Sequence, residues 1–153
     1  MAIDKKIIEN LLLYLDSEIK EIEDSKVSKD NLDEEENGIF TDATKYRMQT
    51  AVEAVINIAE HVVAGLNLGK PEFARDLFSL LVKEGIIEEG LSEKLKDAVG
   101  LRNILVHMYR DVDLGILVDS ATVGLDDLRV FAKTINEFLE KQGEVVEEPK
   151  KEE

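Results

Sequence analysis

Apolar residues recur at intervals of three and four along almost the whole chain, and that spacing restricts the fold to helices packed on one another. Ile3, Ile7, Ile8, Leu11, Leu12, Leu15, Ile19 and Ile22 make the first series. Ala51, Ala54, Val55, Ile58, Ala59, Val62 and Val63 make the second, within a helix expected over residues 41–66, where small alanines let a neighbouring helix approach closely. Gly65 or Gly69 is expected to end it, and Pro71 to open the next as a first helical residue. That short helix, over residues 71–83, carries Phe73, Leu77, Phe78, Leu80 and Leu81 before Gly85-Ile86-Ile87 breaks it. Ser92 is positioned to cap a helix running through Leu95 to Tyr109. One or two turns over residues 114–118 and a last helix over residues 125–139 complete the series. No strand alternation, glycine-rich phosphate loop or internal repeat is present. The expectation is an all-α, up-and-down bundle of five or six helices over residues 1–141, followed by a disordered acidic tail, 142–153.

Length and composition narrow the function classes. A chain of 153 residues is most simply one domain. It has no run of 18 apolar residues and no apolar leader, so a cytoplasmic location without membrane contact is expected. The absence of cysteine excludes disulfides and thiolate metal sites. The net charge of −15 argues against a broad nucleic-acid surface. Any phosphate site must be a local positive island, or the acidity serves to attract a partner protein with a basic face.

The chemistry concentrates in Gly100 to Asp113, Gly-Leu-Arg-Asn-Ile-Leu-Val-His-Met-Tyr-Arg-Asp-Val-Asp, which holds one of only two histidines. On a continuous helix, turning by about 100° per residue, Leu101, Ile104, Leu105 and Met108 share an apolar arc. Arg102, Asn103, His107 and Tyr109 share the opposite arc with Val106 among them. Arg102 and Tyr109 then lie almost in line, as do Asn103 and His107, but the two pairs are well apart around the axis. Either the helix unwinds near His107, or a second copy supplies the missing half of a site. A guanidinium to hold phosphate oxygens and an imidazole to move protons are the groups that metal-free cleavage of RNA requires. One histidine is too few for an acid and base pair, so this chemistry favours a symmetric homodimer with a composite cleft.

These residues resemble the Arg-x4-His-x-Tyr signature of the HEPN ribonucleases, in the HepT-like toxin subfamily, and the likeness extends over roughly residues 3–140. The resemblance implies a HEPN-like bundle and a metal-independent, dimeric endoribonuclease toxin with no cofactor and no role on DNA. It implies Arg102 and His107 as catalytic residues, with Asn103 as the substrate-positioning polar residue after the arginine. It also implies a nucleotidyltransferase antitoxin that adds AMP to the signature tyrosine, here Tyr109. An AMP on a tyrosine in line with Arg102 would pair with that guanidinium and fill the substrate site.

Plainer readings compete at each position. Arg102 could bridge to Asp97 or Asp113, His107 could cap its helix, and Tyr109 could pack at the core edge. Lys45, Tyr46 and Arg47 read as surface charge around a packed tyrosine, or else as an RNA or partner contact. His61 reads as structural or surface, since no zinc spacing surrounds it. The Asp33 to Glu36 run reads as a solvated face rather than a metal site. For the whole chain, the alternative to an enzyme is a non-catalytic HEPN-like binding or scaffold partner of a nucleotidyltransferase.

Overall fold

In a computed structural model the chain is described over residues 3–151, with side chains described as far as Gln142. It forms six α-helices: α1 Lys5–Asp24, α2 Gly38–Gly65, α3 Ala74–Lys83, α4 Glu89–His107, α5 Leu114–Ser120 and α6 Gly124–Lys151. A single 3-10 turn, Tyr109–Asp111, lies between α4 and α5. The all-α expectation holds. The helical backbone of α6 crosses most of the segment expected as a tail, and side chains beyond Gln142 and residues 152–153 lie outside the described residues.

α2 is the central helix and packs against α1, α3, α4 and α6. Ala51, Ala54, Val55, Ile58, Ala59, Val62 and Val63 are all buried, as their spacing requires. Phe78 of α3 meets Phe131 of α6 edge to face, with ring centroids 6.2 Å apart. The core is continuous from Ile8 on α1 to Leu139 on α6.

The ends of the helices correct several expectations. α2 begins three residues earlier than its apolar stripe suggests, because Thr41 is buried and exchanges hydrogen bonds with Asp33: the Asp33 amide donates to Thr41 Oγ1 at 3.0 Å, and that hydroxyl donates to the Asp33 carbonyl at 3.2 Å. α2 ends at Gly65, one of the two glycines expected to end it, but no glycine makes the turn that follows. Asn67 takes the left-handed backbone instead, with φ 55°, while the amides of Asn67 and Leu68 donate to the carbonyls of Ala64 and Val63. α3 ends in the same motif with Gly85 at φ 78°, as the sequence predicts. Pro71 stays outside α3, which starts at Ala74 after Asp76 has accepted the amides of Glu72 and Phe73. Ser92 is not a cap; it lies buried within the first turn of α4.

Candidate functional site

α4 carries Arg102, Asn103 and His107, and it stops at His107. The next residue, Met108, leaves helical geometry at φ −135°, ψ 47°, although its amide still donates to the Ile104 carbonyl at 2.7 Å. The chain must turn there because Val112 is drawn into the core and Asp113 caps α5 by accepting the amides of Gly115 and Ile116. The helix thus ends at His107, the first of the two alternatives its sequence left open, and Tyr109 sits on the 3-10 turn instead of in line with Arg102.

Arg102 is half-buried, and its Nε is shielded from solvent without a hydrogen-bond partner. Among the described residues it forms no ion pair, so the expected alternative bridges to Asp97 or Asp113 are not made. It lines a cleft of about 410 Å³ with Glu53, Asn57 and Glu60 of α2 and with Glu72 and Phe73 of the α2–α3 connection. Asn103 and His107 are both exposed on the last turns of α4. Five residues of helix separate Arg102 from His107 by about 140° around the axis. The apolar arc is only half covered: Leu101 and Leu105 are buried, but Ile104 and Met108 are 39% and 53% exposed, and Val106 on the opposite arc is 41% exposed.

Tyr109 is held by a residue read from sequence as surface charge. Lys45 of α2 is 1% exposed, and its Nζ lies 2.7 Å from Glu34 Oε1. The same ammonium donates to the Tyr109 carbonyl at 3.2 Å and sits 4.4 Å from the centroid of the Tyr109 ring. The Tyr109 hydroxyl points at the Asp42 carbonyl at 3.5 Å. Burial raises the phenol from 10.0 to about 12, and the hydrogen bond and charge of Asp42 and the charge of Glu34 add to the rise. Of Lys45's neighbours, Tyr46 is exposed rather than packed, and Arg47 donates to Glu18 Oε2 at 2.7 Å.

The acidic run is partly structural. Asp33 Oδ1 accepts the amides of Glu35 and Glu36 at 2.8 and 3.2 Å, and Glu34 holds Lys45. His61 is exposed on α2. Among the described residues no helix is long and apolar enough to cross a membrane.

The ribonuclease HepT-like family matches residues 15–135, which include all of this machinery. The chain belongs to that family. Its enzymatic class is accordingly that of an endoribonuclease. Over 94 residues it is 39% identical to the mRNA nuclease HepT of Shewanella oneidensis, a match covering 61% of this chain and 71% of that one. It is 29% identical over 96 residues to the tRNA nuclease HepT of Aphanizomenon flos-aquae, covering 63% of this chain and 65% of that one. The solved structure of a tri-AMPylated Shewanella oneidensis HEPN toxin in complex with MNT antitoxin superposes with a TM-score of 0.77. That chain is 34% identical, and the match covers 85% of this chain and 96% of that one.

For this HepT-like chain, sequence reading found the residues of α4 but not their surroundings. Lys45 meets Tyr109 across 64 positions, and nothing near Lys45 announces that contact. Glu53, Asn57 and Glu60 did leave a trace, as a polar stripe at helical spacing beside the apolar stripe of α2.

Proposed function

We propose that this HepT-like chain is the toxin of a toxin–antitoxin pair, an endoribonuclease that cleaves RNA without metal in a composite site between two copies. The observation that carries the proposal is the layout of α4. Arg102 and His107 face apart on one helix, and Ile104, Val106 and Met108 between and beside them are exposed. A two-fold axis against this face covers the apolar residues and gives one cleft two arginines and two histidines.

In such a cleft one His107 takes the proton of the ribose 2′-hydroxyl, whose oxygen attacks the adjoining phosphorus. The other gives a proton to the departing 5′-oxygen. Each proton transfer is worth about 10² to 10⁴ in rate. Arg102, with no carboxylate already paired to it, offers its fork to the phosphorane oxygens. Among the described residues it is the only cation lining its cleft, opposite the carboxylates of Glu53, Glu60 and Glu72, in a chain of net charge −15. Asn103, one turn before His107, orients the nucleotide.

The partner is a nucleotidyltransferase antitoxin that silences the enzyme by adenylylating Tyr109, a reading supported by the AMPylated Shewanella toxin and its MNT antitoxin. With its pKa near 12 the phenol is protonated at neutral pH, so the transferring enzyme must remove that proton as the phosphate bond forms. The added phosphodiester places bulk and negative charge two residues beyond His107, where it repels incoming RNA. The acidity favours one other reading, a non-catalytic scaffold for a nucleotidyltransferase.

The test is RNA cleavage by the partner-free protein in EDTA, wild type beside His107→Ala, with mass spectrometry establishing that Tyr109 is unmodified. Cleavage that survives EDTA and is lost in the variant supports the toxin reading. Unmodified wild-type protein that cleaves no RNA class, while still binding a nucleotidyltransferase, supports the scaffold.

A further inference from the structure

The cleft beside Arg102 holds more than phosphate binding needs. Glu53, Asn57 and Glu60 follow one another at the spacing of a single helical stripe, so α2 presents two carboxylates and a carboxamide to the same space. Phe73 lines that space too and is 64% exposed. Its backbone is nonetheless fixed, because the amides of Glu72 and Phe73 donate to Asp76 Oδ2 at 3.0 and 2.9 Å. A lone exposed aromatic is ordinary. This one stands on a fixed backbone and shares a cleft with a guanidinium whose Nε is buried and unpartnered.

We propose that the cleft is a base-recognition subsite, in which a guanine stacks on Phe73, donates from its Watson–Crick edge to the carboxylates of α2, and sets its adjoining phosphate on Arg102. The proposal rests on the ribonuclease reading of the same arginine. The volume of about 410 Å³ lies in the range of small-molecule sites.

The chemistry of the lining selects the base. Ionised carboxylates only accept hydrogen bonds. Guanine offers two adjacent donors, N1–H and the exocyclic amino group, which match the two oxygens of a carboxylate. Uracil offers one donor flanked by carbonyls. Adenine and cytosine each offer an amino group beside a bare ring nitrogen that a carboxylate repels. Asn57 can meet the guanine carbonyl with its amino group. The same carboxylates exclude a second phosphate, so the RNA backbone runs past Arg102 at the rim while the base enters. Stacking on an aromatic ring tolerates any base, which leaves discrimination to Glu53 and Glu60.

The chain contains no tryptophan, so Phe73→Trp installs a lone tryptophan, excited selectively over the three tyrosines, that keeps the stacking surface. The full-length variant is titrated with the 2′-O-methyl dinucleotides GpA and UpA, which cannot be cleaved. The expected result is quenching by GpA at concentrations about 10-fold or more below those needed for UpA, with the gap removed by Glu53→Gln together with Glu60→Gln. In cleavage assays Phe73→Ala raises KM about 10-fold with little change in kcat, and Phe73→Tyr restores it. His107→Ala instead lowers kcat. Absence of quenching, equal quenching by both dinucleotides, or a wild-type KM in Phe73→Ala overturns the subsite. Wild-type protein that cleaves nothing overturns the ribonuclease reading, and the dinucleotide titration then decides the subsite by itself.

Discussion

Two groups of charges in this molecule are treated in opposite ways. Between α1 and α2, Glu18 is buried and fully engaged: Arg47 donates to one oxygen at 2.7 Å, and the Thr50 hydroxyl donates to the other. At the end of α4, Arg102 has a dry nitrogen with no partner, and Asn103 and His107 stand exposed. Charges that hold the helices together are paired within the chain. Charges left unengaged are the ones available to something outside it. Lys45 belongs to the first group by its bonds and to the second by its place, since it fixes the turn that carries Tyr109.

The sharpest way to break the contrast is to exchange the effects of the two groups. His107→Ala is expected to lower RNA cleavage by about 10² to 10⁴, with an unchanged urea midpoint; a large loss of stability would place His107 among the structural charges. Glu18→Ala is expected to do the reverse. It leaves the Thr50 hydroxyl without its acceptor, while half-exposed Arg47 is rehydrated, and costs about 1 to 3 kcal/mol in urea unfolding, while cleavage by the remaining folded protein stays at the wild-type rate. Lys45→Met keeps the apolar stem and removes the charge, for a cost of about 1 to 2 kcal/mol because half-exposed Glu34 can be rehydrated. The proposed adenylylation of Tyr109 by a nucleotidyltransferase should slow in that variant, and an unchanged rate would reduce Lys45 to a purely structural role.

The smallest effect is one of pH. The folded phenol of Tyr109 ionises above the ordinary tyrosine value, so the fold favours its protonated form. The associated stability is complete below 10.0 and is lost as pH rises through about 12. The difference in phenolate absorbance between wild type and Tyr109→Phe should titrate near 12. A midpoint at 10.0 would mean that neither partial burial nor Asp42 and Glu34 act on the phenol.

Much of this was legible in the sequence, for a physical reason. Helix spacing is a local property, so the buried stripes of α1, α2 and α6 could be read directly from residues three and four apart. Arg102, Asn103 and His107 were singled out through a family signature, and their placement on the last turns of α4 is what the structure adds. What escaped depends on contacts distant along the chain. The break after His107 is imposed by the burial of Val112 and the capping of α5. The burial of Lys45 needs Glu34 on one side and the Tyr109 turn on the other. Met108 was read as core because its azimuth on an unbroken helix pointed inward, and the break turns it out to 53% exposure.

The unpartnered Nε of Arg102 also bears on how stable this chain can be. A buried donor left without an acceptor burdens the native state by about 1 to 3 kcal/mol, a burden the unfolded chain does not share. The native state therefore carries such a burden at this side chain, and another at Ser92 Oγ, which is buried without a partner as well. Arg102→Met should melt at a higher temperature than the wild type and cleave nothing, so selection for robustness alone would remove this arginine.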